Sequence, residues 1–197
     1  MIFRYLLCAV VGYLLGCFST GILVARKEGH DIRAEGSHNT GASNALRVLG
    51  VKGGALTFLG DFLKAALAVM IGKWIAGQAG GMLGGLFVVL GHNWPVFFDF
   101  RGGKGIACST AVLLLLFPWQ GAVAIALCLG VIYFTRYISL GSLTMLTVFF
   151  FLILLTQPLW PCAVWALALA LLGFYRHRAN IERLRQGTEN KIGAKAR

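Results

Sequence analysis

The chain has 197 residues, of which 58% are apolar, and its mean hydropathy is +0.76. Soluble domains run nearer about 45–50% apolar, so these values exclude an ordinary water-soluble globule. The formal charge of +11 is carried unevenly, because fifteen of the 18 Lys and Arg fall in four polar stretches: 26–52, 101–104, Arg136 and 176–197.

Seven apolar segments follow one another along the chain: Ile2–Ala25, Val51–Gly77, Gly80–Phe98, Gly105–Pro118, Gln120–Phe134, Leu140–Thr156 and Leu159–Tyr175. Most approach or exceed the roughly 17 residues that a bilayer-spanning helix needs. The fourth is short. Charge decides how it is read. Cationic loops collect on the cytoplasmic side of a membrane. Two segments separate each basic stretch from the next. Seven crossings therefore put all four stretches in the cytoplasm, with the N-terminus outside and the C-terminus inside. The predicted fold class is an all-α polytopic membrane protein with seven transmembrane helices, built as a single domain over residues 1–197. The first segment runs past Cys17 to Ala25 and stops at Arg26-Lys27, which reads as a retained anchor rather than a cleaved signal.

Small residues suit helix packing in lipid. Gly12 and Gly16, and Gly81 and Gly85, have the spacing that lets helix backbones approach closely. The five Cys are scattered through apolar segments without pairwise spacing and read as reduced, buried residues. The five Trp sit mostly near segment ends, as interfacial aromatics do. Asp61 and Lys64 lie at i and i+3 inside the second segment. Charges there are expensive and either pair or line a cavity, so a structural ion pair and a place near an active site both remain open.

Four polar stretches can do chemistry. The most specific is Arg101-Gly102-Gly103-Lys104-Gly105. Glycines allow backbone N–H groups to face a bound anion, lysine adds a point charge, and a helix starting at Gly105 would aim its positive end at the same spot. We expect this loop to hold a phosphate, with the other polar loops gathered around it. The stretch Glu35–Arg47 packs two Gly, two Ser, a Thr and two Asn between Gly36 and Asn44. Arg47 can grip a phosphate with two parallel hydrogen bonds. Ser43 or Asn44 can alternatively cap a helix beginning near Ala45. His92 precedes Pro95, which should interrupt its helix; it is either a general base at a break or a histidine satisfied within the bundle. The remaining stretches are Thr135–Ser142, with Arg136, and Arg176–Leu184, where His177 and Asn180 are helical neighbours.

Several chemistries are absent from the pattern. Gly follows Lys104, where a nucleotide-binding P-loop needs Ser or Thr. There is no H-E-x-x-H, no Cys/His cluster in sequence and no G-x-S-x-G. No metal, cofactor or nucleic-acid partner is expected. A transporter would place its site at the bilayer midplane between repeated halves, and no internal repeat is visible. Acyl-CoA acyltransferases with HxxxxD are excluded by the six residues between His92 and Asp99.

Together the stretches resemble one family. Residues 36–44 with Arg47 match GS-x-N-x-GATN-xx-R of the PlsY family, the bacterial acyl-phosphate-dependent glycerol-3-phosphate acyltransferases. Gly91-His92 through Pro95 to Gly105, Thr135 through Ser142, and His177, Arg178, Asn180, Arg183, Gly187 and Glu189 are similar to the family's other motifs. His38, Ser43 and Arg101 depart mildly, standing where Gly, Thr and Lys are usual. The resemblance implies transfer of a fatty acyl group from acyl-phosphate to the 1-hydroxyl of glycerol 3-phosphate. Lysophosphatidate and phosphate are the products, as the first acylation of phospholipid synthesis. It implies catalytic roles for Ser37, Arg47, Lys104, His177 and Asn180. It places Asn39, Asn44, Gly102, Gly103, Gly105, Arg136, Ser139 and Ser142 in substrate binding, with Glu189 structural. The expected location is the bacterial plasma (inner) membrane, active site on the cytoplasmic face, with membrane lipids as surroundings.

Overall fold

The structure is a computed structural model that describes residues 1–193. Lys195 and Arg197 of the last basic stretch lie outside the described residues. The chain divides into two compact units, Met1–Leu116 and a second that begins at Phe117. All regular structure among the described residues is helical.

The first unit starts with α1 (Ile2–Cys17) and α2 (Thr20–Lys27). The predicted continuous first segment is broken at Phe18 and Ser19, both extended. A carbonyl ladder interrupted inside an apolar segment needs other partners, and the Lys64 ammonium supplies them, as described below. α3 covers Ala42–Asn93 in three pieces, 42–49, 51–75 and 78–93. Gly50 (φ 74°) and Gly77 (φ 61°) make the two corners, in backbone that glycine adopts at little cost. The second and third pieces coincide with the second and third apolar segments. A single-turn 3-10 helix (Val96–Phe98) and α4 (Ile106–Leu116) complete the unit. α4 begins one residue after Gly105, where the sequence places it.

Close backbone approach holds these helices together. A Cβ on Gly12 would come within 2.6 Å of the Gly84 carbonyl oxygen, and one on Gly84 within 2.6 Å of the Ala68 carbonyl oxygen. A Cβ on Gly16 would run into Val88 and Gly91. The paired glycines thus do what their spacing predicts. In lipid this packing is dispersion between backbones, not hydrophobic burial. Val69, Val88, Val112 and Leu113 fill the core between them and are fully buried.

The second unit stacks α5 (Pro118–Thr135), α6 (Ile138–Thr156) and α7 (Trp160–Arg176) in chain order, with α8 (Arg178–Arg185) after them. Proline opens the first turn of α5 and of α7, where its missing N–H costs nothing. The core is aromatic: Phe117 and Phe149 lie 6.0 Å apart and Phe117 and Trp165 lie 5.9 Å apart. Trp165 is buried at 6% exposure, so it is a core residue, unlike the exposed Trp74 and Trp160.

Four helical stretches are long and apolar enough to cross a membrane: Ile2–Lys27, Ala42–Phe98, Pro118–Thr135 and Ile138–Thr156. Ile106–Leu116 and Trp160–Arg176 are shorter apolar helices. Large apolar side chains such as Phe3, Leu63, Leu129, Leu155 and Leu171 face outward, as lipid-facing residues do. All five cysteines are free and buried, as expected.

Candidate active site

Two polar loops meet in the first unit. They rest on a small apolar cluster of Ile22, Ala25, Ile32 and Ala45, with Leu49 and Phe98 packed against it. Asn44 organises the first loop. Its Oδ1 accepts from the Ser37 N–H at 2.8 Å, and its Nδ2 donates to the Ile32 and Glu35 carbonyls at 3.1 and 3.0 Å. The suggested cap at Ser43 or Asn44 does not form. The helix starts earlier, at Ala42, with Gly41 before it, because the Asn44 amide is used to fold the loop. His38 takes φ 55°, so the position where glycine is usual in the family does turn through left-handed backbone. Asn39 joins the two loops. Its Nδ2 donates to the Gly102 carbonyl at 3.4 Å while its Oδ1 accepts from the Gly41 N–H at 3.0 Å.

The second loop folds back on the end of α3. The Gly103 N–H donates to the His92 carbonyl (3.0 Å) and the Gly102 N–H to the Asn93 carbonyl (3.3 Å). These two amides therefore do not face outward to an anion, contrary to the expectation for a glycine cradle. The glycines serve a different need. A Cβ on Gly103 would collide with the His92 ring, one on Gly102 with the His92 carbonyl, and Gly105 sits at φ 80°. Only glycine lets this loop lie flat on α3. The loop's cations are Arg101, exposed, and Lys104, half-buried, and they lie beside the start of α4, the positive end of that helix's dipole. Arg47, half-buried in the first piece of α3, forms no ion pair with a described carboxylate.

His92 is satisfied within the bundle. It is 5% exposed, and its Nδ1 lies 3.0 Å from the Lys64 ammonium and 3.5 Å from Asp61 Oδ1. Asp61 and Lys64 form the buried ion pair that their spacing allowed, at 2.8 Å. The ammonium also donates to the Gly16 and Phe18 carbonyls at 3.1 and 2.6 Å, the ends left by the α1–α2 break. Asp61, His92 and Cys108 present ligand atoms within 4.8 Å of one another, a set able to hold a metal ion. Lys64 already puts a cation within 3.0 Å of both Asp61 and His92. Sequence inspection sees Asp61 and Lys64 as a pair but cannot see His92, 28 residues on, as the third member.

The second unit carries its own polar cluster, centred on Glu189. Glu189 Oε1 accepts from Ser139 Oγ (2.9 Å) and Asn180 Nδ2 (2.7 Å), and Oε2 accepts from Arg183 Nε (2.7 Å). The glutamate side chain is 6% exposed, so it acts as a structural clamp, as the family resemblance implies. His177 sits at the junction of α7 and α8 with its Nδ1 2.8 Å from the Gly173 carbonyl. A carbonyl only accepts, so Nδ1 carries the hydrogen and a neutral His177 has its basic lone pair on Nε2. Ser142 is buried and its hydroxyl donates to the Ile138 carbonyl at 2.9 Å. Arg136 pairs with the C-terminal segment: its carbonyl accepts from the Ile192 N–H at 2.8 Å and its Nη2 donates to the Ile192 carbonyl at 3.2 Å.

Comparison with known proteins gives one consistent result. Residues 6–187 match the family model described as glycerol-3-phosphate acyltransferase. A glycerol-3-phosphate acyltransferase of Thermoanaerobacter pseudethanolicus is 46% identical over 193 residues, covering 96% of each chain. That of Thermus thermophilus is 44% identical over 190 residues, covering 95% of this chain and 94% of its own. The crystal structure of PlsY, an integral membrane glycerol 3-phosphate acyltransferase, in its glycerol 3-phosphate form superposes with a TM-score of 0.90 at 36% identity, covering 96% of both chains. Its lysophosphatidic acid form gives 0.87 at 35% identity. With its apolar helices, a family model matched over residues 6–187 and relatives covering 96% of its length, the chain belongs to the glycerol-3-phosphate acyltransferase family of integral membrane proteins.

Proposed function

We propose that this protein transfers a fatty acyl group from acyl-phosphate to the 1-hydroxyl of glycerol 3-phosphate at the cytoplasmic face of a bacterial plasma membrane. The observation that carries the reading is the Asn39 bridge to Gly102, which ties the Ser37 loop to the Lys104 loop across 63 residues of sequence. The orientation follows from reading the chain as seven crossings. The two long pieces of α3 count as two spans and α4 and α7 as short ones, which leaves every basic stretch inside and the N-terminus outside. On this reading the whole chain acts as a single acyltransferase domain.

An acyl-phosphate is a mixed anhydride and already activated, so the step needs neither a covalent enzyme intermediate nor a cofactor. The glycerol oxygen attacks the acyl carbonyl carbon, the bond from that carbon to the phosphate oxygen breaks, and inorganic phosphate leaves with the bonding pair. Lys104 and Arg47 neutralise the two phosphates, and the N-terminus of α4 adds its dipole. Ser37, Asn39 and the Gly102–Gly105 loop shape the glycerol-phosphate end. Asn44 contributes by holding Ser37 in place. Ser139, Ser142, Arg136 and Asn180 serve substrate binding, and within their unit Glu189 keeps Ser139 and Asn180 in order. The hydroxyl proton goes to Nε2 of His177, the nitrogen its Nδ1 contact leaves basic, or to the departing phosphate.

Offering purified protein acyl-phosphate, acyl-CoA and acyl-carrier-protein in turn tests the donor. Product from acyl-phosphate alone is expected, and turnover with a thioester as the preferred donor overturns the assignment. Lys104→Ala is expected to raise KM for glycerol 3-phosphate by about tenfold to a hundredfold, the size of one lost charged contact. An unchanged KM counts against the phosphate site. Trapping an acyl group on Ser37, or ping-pong kinetics, would replace direct attack with a two-step route.

A further inference from the structure

The glycine loop is flattened onto the His92 ring, and the His92 ring is held from behind by a buried ammonium. Lysine has hydrogen-bond donors and no acceptor. His92 Nδ1, 3.0 Å from Lys64 Nζ, is placed to accept one of the three ammonium N–H groups, and a neutral His92 that does so carries its hydrogen on Nε2. That same Nε2 is the atom that a Cβ on Gly103 would strike first. The Lys64 ammonium is itself aimed by Asp61 at 2.8 Å and by the Gly16 and Phe18 carbonyls, so it has little freedom to point elsewhere. Asp61, Lys64 and His92 are 1%, 7% and 5% exposed, which excludes solvent as a competing partner.

We propose that Lys64, oriented by Asp61, is a positioning residue for substrate binding: it holds His92 as the Nε2–H tautomer against Gly103 and so sets the level at which Lys104 and the start of α4 meet the phosphate. The inference rests on the reading that residues 102–105 hold the glycerol-phosphate group. Its consequence is a charged chain running from the α1–α2 break, through α3, to the anion loop. A purely structural ion pair would stabilise the helices without reading out in substrate affinity.

The test uses the full-length protein in detergent or lipid. Nitrogen-15 spectra of histidine-labelled protein report the tautomer, with His92→Gln identifying the His92 signals among those of the four histidines. The wild-type His92 is expected to show a bare Nδ1 and a protonated Nε2, and the opposite pattern overturns the proposal with no change made at position 64. Lys64→Met is expected to mix the tautomers and to raise KM for glycerol 3-phosphate about tenfold, with kcat changed less than about threefold. Because both residues act through one contact, Lys64→Met combined with His92→Gln is expected to be no worse than His92→Gln alone. Unchanged KM in folded Lys64→Met, or KM effects that multiply in the double variant, overturn the proposal. Lys104→Ala measured alongside separates the two levels. If it leaves KM unchanged the phosphate site itself is wrong, whereas a raised KM there with none in Lys64→Met removes only the positioning role.

Discussion

Asp61→Ala is expected to destabilise the first unit by about 3–5 kcal/mol, the usual cost of stranding one member of a buried ion pair. The Lys64 ammonium would keep only neutral acceptors, the Gly16 and Phe18 carbonyls and His92 Nδ1, at 7% exposure. For a chain of this length the loss is roughly a 10 °C drop in the thermal midpoint, measurable by thermal unfolding in detergent. Removing both charges is the control. Asp61→Leu with Lys64→Met is expected to recover much of the lost stability, because no unpaired charge is left in the interior. Equal losses in the single and double variants would mean that the pair contributes by packing and not by charge.

Glu189→Ala is expected to remove most activity, by about a hundredfold or more, because it orphans three groups at once. Ser139, Asn180 and Arg183 all donate to this one carboxylate at 2.7–2.9 Å. Hydrogen bonds to a charged acceptor contribute about 1.5–3 kcal/mol each, so the cluster should loosen and not merely shift. Acyl transfer assays on detergent-purified protein, with thermal unfolding beside them, check this. Glu189→Gln should fall between, since its amide keeps one acceptor oxygen but presents N–H groups where a donor already points. Activity near wild type in Glu189→Ala would remove Asn180 and Ser139 from the proposed site, since both are held by that carboxylate.

Much of the helical layout is legible along the chain. Six of the seven apolar segments reappear as a helix or a straight helical piece, with ends moved by a few residues, and the first is split into α1 and α2. Glycine and proline mark most corners, at Gly50, Gly77, Pro95 and Pro118. The break at Phe18 and Ser19 has no such marker. It is stabilised from 46 residues away, by Lys64 on the Phe18 carbonyl. The candidate site shows the same division. Ser37, Arg47, Lys104 and His177 stand out because polar, flexible residues in a greasy chain need a reason. The use to which the glycines are put does not stand out. Gly102 and Gly103 look like an anion cradle in one dimension and prove to be packing against His92 in three. Asn44 looks like a helix cap and proves to be the knot of its loop.

Hydropathy, segment length and the placement of cations are properties of neighbouring residues, and the bilayer acts on each apolar stretch separately. Helical class and membrane residence were therefore settled by the amino-acid order alone. Which carbonyl the Lys64 ammonium reaches, which ring lies beneath Gly103 and which donors share Glu189 depend on groups brought together across as many as 50 residues. Such pairings are chosen by the free energy of leaving a buried polar atom unmatched, and that term exists only once the helices have packed.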